Sequence, residues 1–307
     1  MDSNDWLKIT EKTALASYNW LGRGNEKEAD RAAVEKMREE LNNFAISGRV
    51  VLGEGERDEA PLLPSGELVG LGGEEWDLAL DPLECTTNCA TVLGPSFSVL
   101  LAAPKGNLLF SPDLYMMKMA CKFPNLLDLD QPLIENLGKL ASYQGKKISQ
   151  LKIALLKRDR HNKFIEEILS LGSTIQLFSD GDIEASLRTF NDFDLYFGIG
   201  GAPEGVIAAG ALAILGGDFQ GKLIYKNQED RDRTALTFNG NLDRKLLLKD
   251  LVGTGPLVFC LTAVTDGKLL SGIVKKDNFY WTNSLFYSRN QNNEIKLQRI
   301  STGYDKK

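Results

Sequence analysis

The apolar positions of the chain change period along its length. After Asn25 the stretch EKEADRAAVEKMREELNNFA repeats Ala29, Ala33, Met37, Leu41 and Phe44 at helical spacing, which predicts an amphipathic helix capped by Asn25, with another helix before it. Short apolar runs then predict strands over 49–52, 76–80, 97–102 and 107–110. The first two run into acidic turns, GEGERDEAP and DPLECTTN. From Gln131 onward the texture is an alternation. Helical stretches PLIENLGKLASYQG, NKFIEEILSLG, 182–190 and EGVIAAGALAILGG are interleaved with strand stretches KIALLK, TIQLFSD and DLYFGIGG. Such alternation predicts parallel strands joined by right-handed crossovers. A strand VFCLTAV and a hairpin turning at Asn290 to Asn293 close the chain. The pattern is that of an α/β protein of two domains, with the seam near 125–150: 1–140 carrying the acidic turns and 141–307 carrying a parallel sheet.

Charge divides the same way. Residues 1–90 hold 19 acidic and 9 basic side chains, and the rest hold 23 and 27, within a formal net charge of −6. An acidic first part suits cation binding and a mildly basic second part suits an anionic substrate, while the net charge excludes a general nucleic-acid binder. The four cysteines, at 85, 89, 121 and 260, have neither the density nor the spacing of a disulfide framework or zinc ribbon. With one histidine, His161, multi-histidine zinc sites are excluded, so any metal is held by oxygen. The N-terminal MDSNDWLKITEK is polar and acidic, unlike a signal peptide. The uncharged run 85–104 is too rich in Thr, Asn and Ser to span a bilayer. These features predict a cytoplasmic protein with no membrane partner.

Four groups of residues could carry chemistry. Glu54 and Glu56 lie two apart in GEGERDEAP and share a face if the chain is extended there. Asp81-Pro82-Leu83-Glu84-Cys85-Thr86 follows a strand and delivers two carboxylates, a hydroxyl and a helix start. Those oxygens suit magnesium or manganese, the amides suit phosphate, and Asp81 and Thr86 would equally serve as caps. The glycines of GIGGAPEG tempt a dinucleotide-binding reading, but the third glycine of that fingerprint falls on Pro203. Arg158 and Arg160 end one strand of the alternating region, and Asp180 and Asp182 end the next. On one sheet edge they could clamp phosphate and sugar hydroxyls.

Together, in this order, the stretches GRGNEKEADRAAVEKMR, VVLGEGERDEAPLL, ALDPLECT, SPDLYMMKMA, LLKRDRH, FSDGDI, GIGGAPEGVIAAGALAILGGDFQGKL, AVTDGKLLSGI and TNSLF resemble the class II fructose-1,6-bisphosphatases of the lithium-sensitive, metal-dependent sugar and inositol phosphatase superfamily. The resemblance runs from about Gly22 to the terminal hairpin. It implies a two-domain layered α/β/α/β/α sandwich that removes the 1-phosphate of fructose 1,6-bisphosphate with Mg2+ or Mn2+, as a homodimer or homotetramer. It places metal carboxylates at Asp30, Glu54, Asp81, Glu84 and Glu204, and the catalytic threonine at Thr86 with Glu54 and Asp30 beside it. Substrate positions fall on Thr86, Tyr115, Arg158, Arg160, Asp180 and Asp182. Two positions depart from the family: Cys85 stands where it has glycine, so a side chain there crowds the phosphate or strains the backbone, and Asn283 stands where histidine is common. Competing readings keep the fold and change the use: a broader phosphatase that also takes sedoheptulose 1,7-bisphosphate or an inositol or nucleotide phosphate, or a non-catalytic sugar-phosphate binder.

Overall fold

In a computed structural model the described residues are 3–53, 63–110, 114–238 and 241–305. The chain divides into two compact units, Met1–Leu108 with Thr254–Lys307, and Leu109–Gly253. Both are sheets flanked by helices, a mixed α/β fold consistent with the layered sandwich.

The first unit opens with α1 (Ser3–Tyr18) and α2 (Glu26–Asn42). Asn25 caps α2 as its sequence predicts, its side chain accepting from the Glu28 N–H. The strands are β1 (Ile46–Leu52), β2 (Leu68–Val69), β3 (Glu74–Glu84) and β4 (Phe97–Pro104), with the short helix α3 (Thr86–Thr91) between β3 and β4. Beyond β4 the residues expected as a strand over 107–110 form none. Gly106 takes φ +85 and the Asn107 N–H bonds back to Pro104 O at 3.2 Å, so the chain turns.

The second unit supplies β5 (Tyr115–Cys121), α4 (Leu133–Tyr143), β6 (Lys152–Leu156), α5 (Asn162–Ser170), β7 (Thr174–Phe178), α6 (Asp182–Leu187), β8 (Leu195–Gly201), α7 (Ala202–Leu215), β9 (Asp218–Ile224), α8 (Gln228–Thr237), β10 (Leu246–Leu247) and α9 (Leu248–Val252). The chain then returns to the first sheet with β11 (Leu257–Ala263), β12 (Val274–Lys276), β13 (Phe279–Arg289) and β14 (Ile295–Asp305). The last two form the expected hairpin, closed at Asn290 and Glu294.

Among the described residues the first sheet runs β12-β13-β11-β4-β3-β1-β2 with β14 on the other side of β13, and only β1 and β3 pair in parallel. The amphipathic faces of α1 and α2 cover it. Trp6, Leu7, Val34, Met37 and Leu41 are buried with Val50, Leu78, Leu100 and Cys260. The second sheet runs β10-β9-β5-β8-β6-β7. Its β6, β7 and β8 are parallel, as the alternation predicts, but β5 lies antiparallel between β8 and β9, so the sheet is mixed rather than parallel. That central strand has a weak sequence signal because Lys118 interrupts its apolar run, yet Lys118 is 1% exposed. Leu137, Leu140 and Ile168 from α4 and α5 bury against Ile153, Leu155 and Leu195 of this sheet.

Candidate active site

In the first unit, β3 carries the acidic turn inside the strand. Its register against β4 passes from Asp81↔Val99 to Glu84↔Phe97, which leaves an extra residue on the β3 side. Pro82, which cannot donate to a ladder, sits at this bulge. An extra residue gives positions three apart the relation of positions two apart, the spacing that shares one face of a strand. Asp81 is half-buried and Glu84 buried. The strand then enters α3 through Cys85, whose backbone is left-handed at φ 62, ψ 53, and leaves α3 through Val92, also left-handed at φ 57. Glycine adopts this conformation without strain; an L side chain does not. The Cys85 side chain is buried.

Three side chains brace the strained turn. Thr86 donates its hydroxyl to Leu83 O at 2.9 Å, Ser96 donates to Glu84 O at 2.9 Å, and Asn88 donates to Pro95 O at 2.8 Å. Asp30, on α2, is half-buried. Glu54 lies outside the described residues.

The second unit gathers its candidates on one sheet edge. Tyr115 opens β5, and the register pairs it with Gly201 at the end of β8 and Ile224 at the end of β9. Arg158 and Arg160 follow β6, and Asp180 and Asp182 follow β7. Arg160 donates through Nε and Nη2 to Ile199 O at 3.1 and 2.8 Å, and its guanidinium lies 4.9 Å from the centre of the Tyr115 ring. The next residue in the chain holds the same strand residue through its other backbone group: His161 Nε2 accepts from the Ile199 N–H at 2.7 Å, and Nδ1 lies 2.7 Å from Leu156 O. That arrangement requires the neutral ring protonated on Nδ1. Burial, reinforced by the charges of Arg160 and Arg158, holds the His161 pKa below its ordinary value. His161 is thus a satisfied core residue that fixes the strand on which Arg160 rests.

Asp182 is buried and pairs with buried Lys118. Asp180 is the more accessible one, 3.7 Å from Arg158; partial desolvation by the surrounding chain and the charge of Asp182 push its carboxyl above the usual range. The glycines of GIGG clear space for these groups. A Cβ at Gly198 would stand 3.1 Å from the His161 ring, one at Gly200 would collide with Asp182 Oδ2, and one at Gly201 with the carboxylate of Glu204 in the first turn of α7. The segment that imitates a dinucleotide fingerprint is therefore built for close side-chain approach. Lys118, His161, Ser96 and Asn88 are the residues whose roles the sequence reading missed. Lys118 alone carries a signal there, a single charge within the apolar run YMMKMAC, since a buried ammonium needs a partner.

Residues 3–301 match the family model described as bacterial fructose-1,6-bisphosphatase, glpX-encoded. The chain belongs to the class II fructose-1,6-bisphosphatases. It is 38% identical to the fructose-1,6-bisphosphatase class 2 of Haemophilus influenzae and 36% identical to the fructose-1,6-bisphosphatase 1 class 2 of Escherichia coli, each match covering 96% of this chain and 94% of the relative. Its reaction is the hydrolysis of fructose 1,6-bisphosphate to fructose 6-phosphate and phosphate, a step of gluconeogenesis. Membership of this bisphosphatase family implies dependence on a divalent metal. The available donors suit one in kind: Asp30, Asp81, Glu84 and Glu204 offer only carboxylate oxygen, the preference of a hard cation. Among the described residues no three such side chains come together as a metal-holding group, and expected ligand Glu54 is not among those residues. Among the described residues no helix is long and apolar enough to cross a membrane.

Proposed function

We propose that Asp30, Glu54, Asp81, Glu84 and Glu204 hold the divalent cations, Mg2+ or Mn2+, and that Thr86 orients the attacking water for an in-line displacement at the 1-phosphate. The cations would acidify water and offset charge on the phosphoryl oxygens. The observation that carries the role of Thr86 is its hydrogen bond: the hydroxyl hydrogen goes to Leu83 O, which leaves the lone pairs to accept from a water. The water's proton then passes toward Asp30 or Glu54, either of which serves as the base. Tyr115, Arg158, Arg160 and Asp180 contact the substrate. The two arginines take the phosphate that is not cleaved, because a guanidinium fork matches phosphate oxygens. Asp182, held by Lys118, serves the same edge from a buried position. In this reading the first unit carries Thr86 and most of the metal carboxylates, and the second carries the substrate-holding arginines together with Glu204. Acting on a soluble metabolite, with four buried cysteines that form no disulfide, the protein works in the cytoplasm, and we infer a homo-oligomer, a dimer or a tetramer.

Phosphate release from a panel of sugar bisphosphates, sedoheptulose 1,7-bisphosphate included, tests the reading. Turnover should require added Mg2+ or Mn2+ and vanish in excess chelator while the circular dichroism spectrum is retained. Full turnover by protein shown to be metal-free would refute the metal roles.

A further inference from the structure

We infer that Lys226 is a further specificity-determining residue, which joins Arg160 around the ring of Tyr115 to hold the uncleaved phosphate and so favours a bisphosphate over a monophosphate. The inference rests on the placement of Arg160 and Tyr115 proposed above. Lys226 stands two residues beyond β9, whose last residue, Ile224, pairs with Tyr115. Its ammonium lies 5.0 Å from the centre of the Tyr115 ring, and the Arg160 guanidinium 4.9 Å from the same centre. One ring therefore has two exposed cations around it, no farther apart than those two distances together. Among the described residues neither Arg160 nor Lys226 has a carboxylate within ion-pair distance, whereas Arg158 has Asp180 at 3.7 Å.

The lysine is held in place by more than its ring contact. Its backbone N–H donates to Asp230 Oδ2 at 3.1 Å, and the Asn227 side chain caps α8 by accepting from the Asp230 N–H at 2.9 Å. Contact with a π face uses none of the three ammonium donors, and Arg160 spends one N–H each of Nε and Nη2 on Ile199 O, which leaves both N–H groups of Nη1 and the second of Nη2. Two like charges fixed beside one ring repel each other, and an anion with several acceptor oxygens relieves that repulsion. A phosphate group, with its charge and three or more oxygens, meets both requirements.

Lys226→Met keeps much of the stem that packs on Tyr115 and removes the charge. In steady-state assays it should raise KM for fructose 1,6-bisphosphate about tenfold, with kcat falling by less than KM rises. For p-nitrophenyl phosphate, which has no second phosphate, KM or the inhibition constant should stay within about twofold of the wild type. Lys226→Arg should restore most of the loss. Arg160→Ala is measured alongside. If it leaves KM for fructose 1,6-bisphosphate unmoved, the underlying placement is wrong. If it raises KM while Lys226→Met changes it by less than twofold, the placement stands and the inference about Lys226 fails. Equal losses on both substrates in Lys226→Met also overturn it, since they mark a structural role.

Discussion

The turn that carries Thr86 and the sheet edge that carries Arg160 meet opposite backbone demands in opposite ways. At the turn, non-glycine residues hold left-handed conformations at both ends of α3, Cys85 and Val92, and side-chain bonds from Thr86, Asn88 and Ser96 pin the strained chain. At the edge, glycines stand where side chains crowd: Gly198 faces His161, Gly200 faces Lys118 and Asp182, and Gly201 faces Glu204. One region tolerates strain to set a hydroxyl in place; the other removes side-chain volume to let buried charges approach. The difference teaches that glycine in this chain reports proximity on one side, and that its absence reports stored strain on the other.

The largest expected effect separates the chemistry of the turn from its architecture. Thr86→Ala should lower kcat on the order of a hundredfold or more, and Thr86→Ser should keep much of the activity because it retains the hydroxyl. Comparable kcat in Thr86→Ala and the wild type would remove the hydroxyl from the mechanism. Next comes crowding at the edge. Gly200→Ala places a methyl group against Asp182 and 3.0 Å from Lys118 Nζ and should destabilise the protein by about 2–3 kcal/mol in urea titrations. A loss below about 1 kcal/mol would show that the close approach is dispensable.

A smaller effect tests the neutral imidazole. The folded pKa of His161 is depressed, so its contribution is fully present above the unfolded value of about 6.5 and is lost as pH falls through the folded pKa. The thermal midpoint should decline below that value more steeply in the wild type than in His161→Gln, whose amide can donate and accept without titrating. Parallel profiles would mean that the ring does not titrate on unfolding. The smallest effect measures the strain itself. Cys85→Gly relieves a left-handed side chain, about 1–2 kcal/mol, against the lost burial of the thiol and the added chain entropy of glycine. Its net change should stay within about 1 kcal/mol, whereas Cys89→Gly, inside α3 at 0% exposure, should lose about 2–3 kcal/mol. Equal losses at the two positions would argue that Cys85 carries no strain.

What the sequence made legible was local. The Asn25 cap, the terminal hairpin and the alternation of β6 to α7 all leave their signals within a short window of chain. The charged residues on the second sheet's edge were legible as loop positions because they follow the ends of β6 and β7, whereas Asp81 and Glu84, read as a turn after the strand, lie within β3. The missed features depend on partners far along the chain: β5 is a strand because β8 and β9 flank it, and Lys118 is tolerated there because Asp182, 64 positions away, meets it. The bulge at Asp81 to Glu84 exists only against β4. Strain at Cys85 was half legible, since the residue type marks the position and only the backbone shows which way the conflict is resolved.

The return of the chain to its first sheet imposes an order of assembly during synthesis. β4 pairs with β11 from Phe97↔Ala263 to Ala102↔Val258, so one side of this apolar strand waits for residues made about 160 positions later. At about 5–20 residues per second that wait lasts on the order of 8–30 s. The second unit, one uninterrupted stretch ending at Gly253, is fully synthesised within the interval. The middle of the polypeptide can therefore mature before its beginning does, and until then Val99, Leu100 and Leu101 lie on an edge whose ladder partner has not yet been made.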